Sequence, residues 1–459
     1  MLLTIEKLIY GGDGLARLPA NLLTDEARGR GKAVFVPFVL AGEKIEASLI
    51  EQKASFARAM AETVIEPSPH RIEPGCQYYA RCGGCHYQHA GYEHQLEIKK
   101  EILRETLLRT AKLDLPFDIE VHPSPPWNYR NRSRLQVQIE PAFAAGYLKL
   151  ASHELLPVEE CPISSPRINR GIASLWQSGH AGKVPPGVRE VEFFANAEDT
   201  QLLVNVGCTG NARRAAVRVW AEELRVLLPE IAGVVVFREP NPGDRDAGPQ
   251  EILVAVGATH LTYQTHRAAY RVSAGSFFQT NRHLADELIN VVIAGQSGEL
   301  ALDLYAGAGL FSTALACDFH HIVSVESSQT SSADLSYNLP SNGESVHATA
   351  EQYLARSENP GRVGKAIGKG AIPAPILSKP GSKPDLAVVD PPRSGLGERV
   401  ARSLASAGAA RIVYVSCDPA TLARDLVTLL ADGYRLEQVH LVDLFPQTYH
   451  LESVVHLVR

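Results

Sequence analysis

The 459-residue chain lacks several features that would place it in a specialised class of proteins. It has no run of about 20 apolar residues, which is the length that a bilayer-spanning helix needs. Its first residues, MLLTIEKLIYGGDG, contain neither the basic region nor the small-residue cleavage site of a secretory signal. We therefore expect a cytoplasmic protein that does not enter a membrane.

An excess of positive charge is also missing, because 45 Lys and Arg face 51 Asp and Glu. The net charge of -6 gives no sign of a nucleic-acid partner, although an RNA enzyme can confine its positive charge to one face. The seven cysteines are odd in number, which argues against a disulfide framework. Cys76, Cys82 and Cys85 lie close together in the sequence, and such a trio in a reducing compartment indicates a metal site.

The pattern along the chain predicts a multidomain α/β protein. Residues 1–65 show short apolar runs between Gly-rich turns, typical of an OB-like barrel that binds oligonucleotides or of another small barrel. Residues 66–272 contain the cysteine trio, a helix over 92–113 and then strands. From 273 to 459 helices and strands alternate, which predicts a parallel sheet covered by helices on both faces. The Gly-, Pro- and Lys-rich residues 355–384 predict a long loop inserted between two strands.

A candidate cofactor site follows the apolar strand in ALDLYAGAGLF. Gly307 and Gly309 allow the backbone to approach a ligand closely, and Glu326 ends the next strand, where an acid can accept hydrogen bonds from ribose hydroxyls. Ser312 occupies the place of the third glycine in a dinucleotide fingerprint, and glycines at such turns also serve packing alone. Asp390 precedes two prolines, which make either a stiff loop that presents the acid to a ligand or a rigid turn with a capping acid.

Two further residues are candidates for catalysis. Cys417 ends an apolar strand just before a predicted helix. It is either a small core residue or a nucleophile whose thiolate is favoured by the positive end of that helix. Glu452 precedes the last apolar strand, and it is either an edge residue in water or a partly buried carboxylate with a raised pKa that can act as a base.

Five segments occur in an order and at a spacing that together are highly specific: GSFFQTN (275–281), DLYAGAGLF (303–311), DPPRSG (390–395), YVSCDPATLARDL (414–426) and LFPQTYHLESVVHL (444–457). With them the chain resembles the RNA uracil-5-methyltransferase family, including its ribosomal-RNA members that carry an iron–sulfur cluster. The N-terminal GGDGLAR and VFVPFVLAGE are similar to the TRAM barrel of that family, so the resemblance covers nearly the whole length.

The resemblance implies S-adenosylmethionine-dependent methylation of carbon 5 of a uridine in folded RNA. It gives Cys417 the role of nucleophile, Glu452 that of base, and Phe277 that of a stacking partner for the target base. It also implies four contacts with S-adenosylmethionine: Gln279, Tyr305, Glu326 and Asp390. The chain departs from the family at Ala306 and Ala308, where Cys and Asn often stand.

The implied chemistry explains these residue types. Carbon 5 of uracil is a poor nucleophile until a thiolate, here that of Cys417, adds to carbon 6. Glu452 then removes the proton from carbon 5, and elimination of the cysteine releases the product. Because the base must be attacked from its face, we expect it to leave its stack.

A fourth cysteine, Cys161 in Glu160-Cys161-Pro162, accompanies the trio Cys76-x5-Cys82-x2-Cys85. Four thiolates can hold zinc or a [4Fe–4S] cluster. The spacing favours the cluster because the paired CxxC knuckles of zinc sites are missing, and unliganded thiols are the third interpretation. The resemblance also implies a [4Fe–4S] cluster. The trio lacks the three-residue gap of a radical enzyme, so we expect the cluster to be structural or to shape the RNA site.

Arg130, Arg132 and Arg134 alternate along a predicted strand and share one face. This face is either simply solvated or a track for RNA phosphates. Lys99 and Lys100 are expected on the solvent side of the helix over 92–113. The expected partner is RNA, with ribosomal RNA favoured and transfer RNA as the alternative, and the expected state is a monomer. The rivals are a non-catalytic RNA-binding protein and an enzyme that methylates an exocyclic nitrogen.

Overall fold

The computed structural model describes residues 1–18, 31–238, 251–358 and 383–459. Across these residues the chain forms four sheets and nine helices. Within the same ranges, no helix combines the length and the apolar character needed to cross a membrane.

The first sheet has the strand order β1-β5-β6-β4-β3-β2. Its strands are β1 (Leu2–Thr4), β2 (Lys7–Leu8), β3 (Asp13–Arg17), β4 (Ala33–Pro37), β5 (Lys44–Gln52) and β6 (Phe56–Glu66). Alternate residues such as Val34, Val36 and Ile45 face a small core of their own. Gly14 is required there, because a Cβ atom would lie 2.4 Å from Cγ2 of Val39. The strands expected over residues 1–65 are therefore present.

Helix α1 (Tyr92–Ala111) confirms the helix predicted over 92–113. It does not present both lysines to solvent as expected. Lys99 is completely buried, and its Nζ lies 2.6 Å from Oδ1 of Asp443, whereas Lys100 pairs with Asp118 at the surface. The helix therefore docks on the C-terminal part of the chain through a buried ion pair.

The second sheet has the order β10-β9-β8-β11-β12-β13-β14. Its strands are β8 (Arg132–Gln138), β9 (Ala144–Leu148), β10 (Leu155–Pro157), β11 (Val188–Ala195), β12 (Leu202–Cys208), β13 (Ile231–Arg238) and β14 (Glu251–Gly257). The expectation of strands alone in this region is wrong, because helices α2 (Pro166–His180) and α3 (Arg214–Leu227) pack on the sheet. Helix α2 carries a visible start signal, since the hydroxyl of Ser165 accepts a hydrogen bond from N–H of Ile168 and proline follows it.

The last sheet has eight strands in the order β19-β18-β17-β20-β21-β23-β22-β7. Its strands are β7 (Glu120–His122), β17 (Gly298–Leu304), β18 (Phe319–Glu326), β19 (Gly343–His347), β20 (Leu386–Val389), β21 (Arg411–Ser416), β22 (Arg435–Val442) and β23 (Glu452–Val458). Strands β17 to β21 run parallel, and β23 is antiparallel to both its neighbours. The hairpin of β15 (His260–Gln264) and β16 (Ala269–Ser273) packs beside it.

Six helices belong to this last part: α4 (Ala285–Ile293), α5 (Leu310–Leu315), α6 (Gln329–Asn338), α7 (Ala350–Glu358), α8 (Gly397–Ala407) and α9 (Pro419–Ala431). Successive strand residues enter opposite cores, for example Ala301 with α4 and α5, and Leu302 with α1, α8 and α9. The predicted sheet with helices on both faces is confirmed.

Two ranges predicted from the sequence do not coincide with elements of the structure. Strand β7 comes from the region predicted as a central domain over 66–272, yet it pairs with β22 in the last sheet. Strands from both sides of the predicted boundary at residue 272 therefore share one sheet. The insert predicted over 355–384 falls mostly outside the described residues, and its first residues, through 358, still belong to helix α7.

Candidate active site

The carboxyl ends of the parallel strands β17, β20 and β21 meet at one edge of the last sheet, where ligands bind in such sheets. Cys417 follows β21, and Asp390 follows β20. Because β23 is antiparallel to β21 and Ser416 pairs with Ser453, Glu452 begins its strand at the same edge. The structure thus brings these three predicted residues together from positions spread over 60 residues of sequence.

Cys417 is half-buried, and its thiol is not poised as a thiolate. Burial raises its pKa to about 12, the carboxylates of Glu452 and Asp390 add to the rise, and Arg393 opposes it. The positive end of α9 is occupied by its own cap, because the carboxylate of Asp418 accepts hydrogen bonds from the N–H groups of residues 420 and 421. That this helix end favours a thiolate stays a prediction.

Glu452 is only 4% exposed. Burial, and then the charge of Asp390, raises its pKa well above the ordinary value, while Arg393 lowers it. Burial likewise raises the pKa of Asp390, with a further rise from the charge of Asp303. The buried-carboxylate interpretation of Glu452 is confirmed, and a base of this kind binds a proton strongly once ionised.

Arg393 is a functional candidate to which the sequence analysis gave no role, although it lies in DPPRSG. Its Nη2 is 3.3 Å from Nε2 of His450. Helix α9 fixes the loop, since the hydroxyl of Thr421 donates to the carbonyl of Arg393 and Arg424 donates to that of Ser394. The charge of this guanidinium lowers the pKa of Cys417.

Tyr10 is a second residue that the sequence analysis missed. It belongs to the first sheet region, and its hydroxyl donates a hydrogen bond of 3.2 Å to the carbonyl of Cys417. Its ring meets the edge of the Tyr449 ring at a centroid distance of 5.6 Å. No sequence signal could have paired residues 407 positions apart, so only the packing of the first sheet on the last one reveals this contact.

Three of the four predicted cofactor contacts, Gln279, Tyr305 and Asp390, line a small cavity of about 30 Å³. Its lining includes Gln279, Tyr305, Gly307 and Phe277. Phe277 is 60% exposed, whereas its neighbour Phe278 is buried among aromatic rings. The structure thus brings together residues from GSFFQTN, DLYAGAGLF and DPPRSG.

Carboxylates hold the glycine turn of this cavity. Glu326 accepts hydrogen bonds from N–H of Gly307 at 2.9 Å and from N–H of Ser328 at 2.6 Å. Asp303 is fully buried, accepts a hydrogen bond from the hydroxyl of Ser312, and has its pKa raised to about 7 by burial. Among the described residues, the other oxygen of Asp303 has no hydrogen-bond partner. Ser312, at the missing third-glycine position, therefore supports this carboxylate.

The four candidate metal ligands line one cavity of about 540 Å³: Cys76, Cys82, Cys85 and Cys161. All four thiols are free, and burial followed by the charge of Cys161 raises the pKa of Cys85 to about 12. Arg130 also lines this cavity. The structure therefore brings the distant fourth cysteine to the trio, as the spacing predicted.

The cysteine loop contacts the segment that leads to Glu452. The N–H groups of His86 and Tyr87 both donate to the carbonyl of Gln447, at 2.8 and 2.9 Å. The side-chain amide of Gln95 exchanges two hydrogen bonds of 3.0 Å with Gln447. The cysteine cavity and the candidate active site therefore share one supporting segment.

The arginine stripe is not a free cationic face. Arg132 lies over the ring of Phe194, 4.4 Å from its centroid, and is within 3.4 Å of Glu192. Arg134 pairs with the same carboxylate at 2.9 Å. Arg132 and Arg134 thus share one acidic partner, whereas Arg130 lines the cysteine cavity, and RNA contact by the three arginines stays a prediction.

Known proteins that are similar to this chain include RNA methyltransferases. The family model described as tRNA (uracil-5-)-methyltransferase matches residues 254–353 and 383–459. An RNA methyltransferase of Aquifex aeolicus is 33% identical and covers 99% of this chain and 97% of its own. One from Streptomyces coelicolor is 32% identical and covers 93% and 88%. The fold is that of the Pyrococcus abyssi tRNA (uracil-54, C5)-methyltransferase in complex with S-adenosyl-L-homocysteine, with a TM-score of 0.71, 24% identity and full coverage of both chains.

Proposed function

This chain belongs to the RNA (uracil-5-)-methyltransferase family, and from that premise we propose that it methylates carbon 5 of a uridine in folded RNA with S-adenosylmethionine as methyl donor. The proposal rests on one observation: Cys417 and Glu452 lie close together at the edge of the last sheet where its parallel strands end. A methylase of an exocyclic nitrogen needs no cysteine nucleophile there, and a purely RNA-binding protein needs neither residue.

The side chains around the glycine turn fit S-adenosylmethionine by their chemistry. The carboxylate of Asp390 and the amide of Gln279 line the cavity, and a Cβ atom on Gly307 would meet nothing within 4 Å, so a ligand can lie against this turn. The residues that would hold the molecule are Gln279, Tyr305, Glu326 and Asp390. When bound, it supplies the electrophilic methyl group.

The residues of the chain account for the remaining steps. The thiol of Cys417 loses its proton to solvent water, its sulfur bonds to carbon 6 of uracil, and carbon 5 gains the electron pair of the ring double bond. Arg393 reduces the cost of the thiolate, which burial and two carboxylates otherwise raise. After carbon 5 is methylated, Glu452 takes its proton, the double bond re-forms, and the bond from carbon 6 to sulfur breaks.

We assign Phe277 the role of stacking on the target base. Its ring is the exposed aromatic surface of the same cavity, next to Tyr305 and Asp390. A uridine taken out of its stack loses its neighbours, and stacking on an aromatic ring restores part of that energy. The exposure of Phe277 supports this role, since a core residue at that position would resemble the buried Phe278.

The dimensions of the cysteine cavity support the proposal that it holds a [4Fe–4S] cluster. Thiolates around one zinc ion lie about 3.8 Å apart, since each Zn–S bond is about 2.3 Å. In the described ranges, the donor sets of three or more within 4.8 Å include none of these cysteines. Four free thiols around a cavity of about 540 Å³ therefore suit a larger, polynuclear group.

Ribosomal RNA is the proposed substrate class, because the cluster that these cysteines would hold is typical of the ribosomal-RNA members that the sequence resembles. Transfer RNA is the alternative. We assign the first sheet, β1 to β6, the role of a TRAM barrel that binds RNA, and we propose a cytoplasmic monomer. The contact of Tyr10 with Cys417 supports a role of this sheet at the active site.

The test is incubation of the purified protein with labelled S-adenosylmethionine and bulk RNA, followed by sizing of the RNA and digestion to nucleosides. Label in 5-methyluridine supports the proposal, and the labelled size fraction distinguishes ribosomal from transfer RNA. RNA containing 5-fluorouridine should form a stable adduct through Cys417. Label in another nucleoside would contradict the uracil mechanism.

A further inference from the structure

A cluster of donor side chains at the far edge of the last sheet has no part in the proposed reaction. Glu120 and His122 lie on the edge strand β7, and His440 lies opposite them on β22, where it pairs in register with Glu120. In the part of the chain that the structure describes, these three are the set of His, Cys, Asp or Glu donors that lie within 4.8 Å of one another.

We propose that Glu120, His122 and His440 bind a divalent transition-metal ion, with zinc as the best fit. The donor atoms form a triangle. Nε2 of His122 is 3.1 Å from Nδ1 of His440. Oε1 of Glu120 lies 4.0 Å from Nε2 of His122, and Oε2 of Glu120 lies 3.4 Å from Nδ1 of His440. Tetrahedral zinc with bonds of about 2.0–2.2 Å holds its ligands about 3.4 Å apart. A water molecule would complete the coordination.

The surroundings orient both imidazoles for this task. Nδ1 of His122 lies 2.6 Å from Oε1 of Glu287, and Nε2 of His440 lies 3.4 Å from Oε1 of Gln438. Ligand histidines commonly donate their outer N–H to such oxygens, which fixes the tautomer. With both outer nitrogens donating, the two inner nitrogens face each other as lone pairs at 3.1 Å, an arrangement that a cation satisfies and two neutral rings do not.

A third imidazole beside this pair has a buried nitrogen without a hydrogen-bond partner among the described residues. His456 is 3% exposed and meets His440 edge to face, with a centroid distance of 5.3 Å. Its Nε2 is buried and has no hydrogen-bond partner in the described residues. An unsatisfied buried nitrogen costs stability, and a metal-bound water that donated to this nitrogen would lower that cost.

The ion would have a structural role. Strand β7 comes from the segment between α1 and the second sheet, and it joins the last sheet through a short pairing with β22. The end of β22 in turn pairs with the start of β23, where Val442 lies opposite Glu452. A metal across β7 and β22 would hold this edge beside the strand that carries the proposed base.

The test is a Co²⁺ titration of the full-length protein, followed by its visible absorption. Wild type should show the d–d bands of a nitrogen–oxygen site. Glu120→Gln should weaken that binding at least about 100-fold, and Glu287→Gln about 10–100-fold. Glu120 is 67% exposed, so its variant keeps the fold. The matched control is Glu299→Gln, which changes an exposed carboxylate that faces His320 elsewhere.

Cobalt held by the cysteines gives a separate sulfur-to-metal band, which should be the same in all four proteins. Zinc should raise the Tm of wild type and of Glu299→Gln but not that of Glu120→Gln. Equal d–d bands and equal zinc effects in wild type and Glu120→Gln would overturn the metal site and leave a hydrogen-bonded histidine pair. No RNA or S-adenosylmethionine is involved, so this outcome is independent of the proposed methylation.

Discussion

Two cysteines in different parts of the molecule have nearly the same acidity for different reasons. Burial raises the pKa of both Cys85 and Cys417 to about 12. Around Cys85 the further rise comes from the thiols of Cys161, Cys82 and Cys76. Around Cys417 it comes from the carboxylates of Glu452 and Asp390, and a guanidinium opposes it.

The two thiols differ in the event that removes their proton. Thiols that raise one another's pKa lose their protons together when a metal cluster binds, because the cluster neutralises all of them. A thiol among carboxylates and one arginine loses its proton singly, when a bond forms to its sulfur. A raised pKa therefore does not identify the function of a cysteine, whereas the groups that cause it do.

The largest expected effect is that of removing the sulfur from the carboxylate site. Cys417→Ala should lower methylation by at least about 10³-fold, because the thiolate that makes carbon 5 nucleophilic is lost. Cys317→Ala, which changes an exposed cysteine, should keep wild-type activity. Both variants should keep the iron content of wild type. Methyl incorporation into RNA measures the first effect. Wild-type rates for Cys417→Ala would contradict the role of Cys417 as the nucleophile.

Glu452→Gln should lower turnover by about 10²–10⁴-fold, because the base that releases the product is lost. Since Cys417 is intact, a covalent complex with RNA should accumulate and survive denaturing electrophoresis. The exposed carboxylate variant Glu437→Gln serves as control and should show neither effect. Full turnover without an accumulated adduct in Glu452→Gln would assign the proton removal to another group.

Cys161→Ser tests the other thiol environment. It removes the distant ligand, so the protein should lose most of its iron and the visible absorption of the cluster, with a smaller loss of methylation than in Cys417→Ala. Iron analysis after anaerobic purification measures this effect, and Cys317→Ser is the matched cysteine control. Unchanged iron in Cys161→Ser would show that the four thiols are not one ligand set.

The smallest expected effect concerns Arg393, which lowers the pKa of Cys417. Well below a pKa of about 12, the thiolate fraction rises tenfold per pH unit, so alkylation of Cys417 should rise about tenfold per unit between pH 7 and pH 10. Arg393→Ala should raise the pKa and slow alkylation by up to about tenfold, whereas Arg393→Lys should keep most of the rate.

Peptide mass spectrometry follows the alkylation, with the exposed Cys317 as internal reference in each sample. If Arg393→Ala alkylates Cys417 faster than wild type does, the guanidinium does not stabilise the thiolate. In that case Arg393 would not be part of the electrostatic difference between the surroundings of Cys85 and Cys417.

Much of the fold followed from local patterns. The alternating helices and strands after residue 273 and the helix α1 are present, because long apolar periodicities depend little on distant contacts. Helices α2 and α3 were missed among strands, although Ser165-Pro166 is a helix start. The raised pKa of Cys417 could not be predicted, because its burial and the nearby carboxylates are consequences of folding.

The sequence by itself determined the types of residue available for chemistry: Cys417 and Glu452 at strand ends, and a cysteine trio with a distant fourth member. It did so because strand ends and ligand spacings are local properties. Only the tertiary structure decided that Arg393 and Tyr10 stand beside Cys417, that Arg132 and Arg134 share Glu192, and that three donors meet at β7 and β22. These contacts join segments far apart in the chain, and their distances and burial exist only once the sheets pack together.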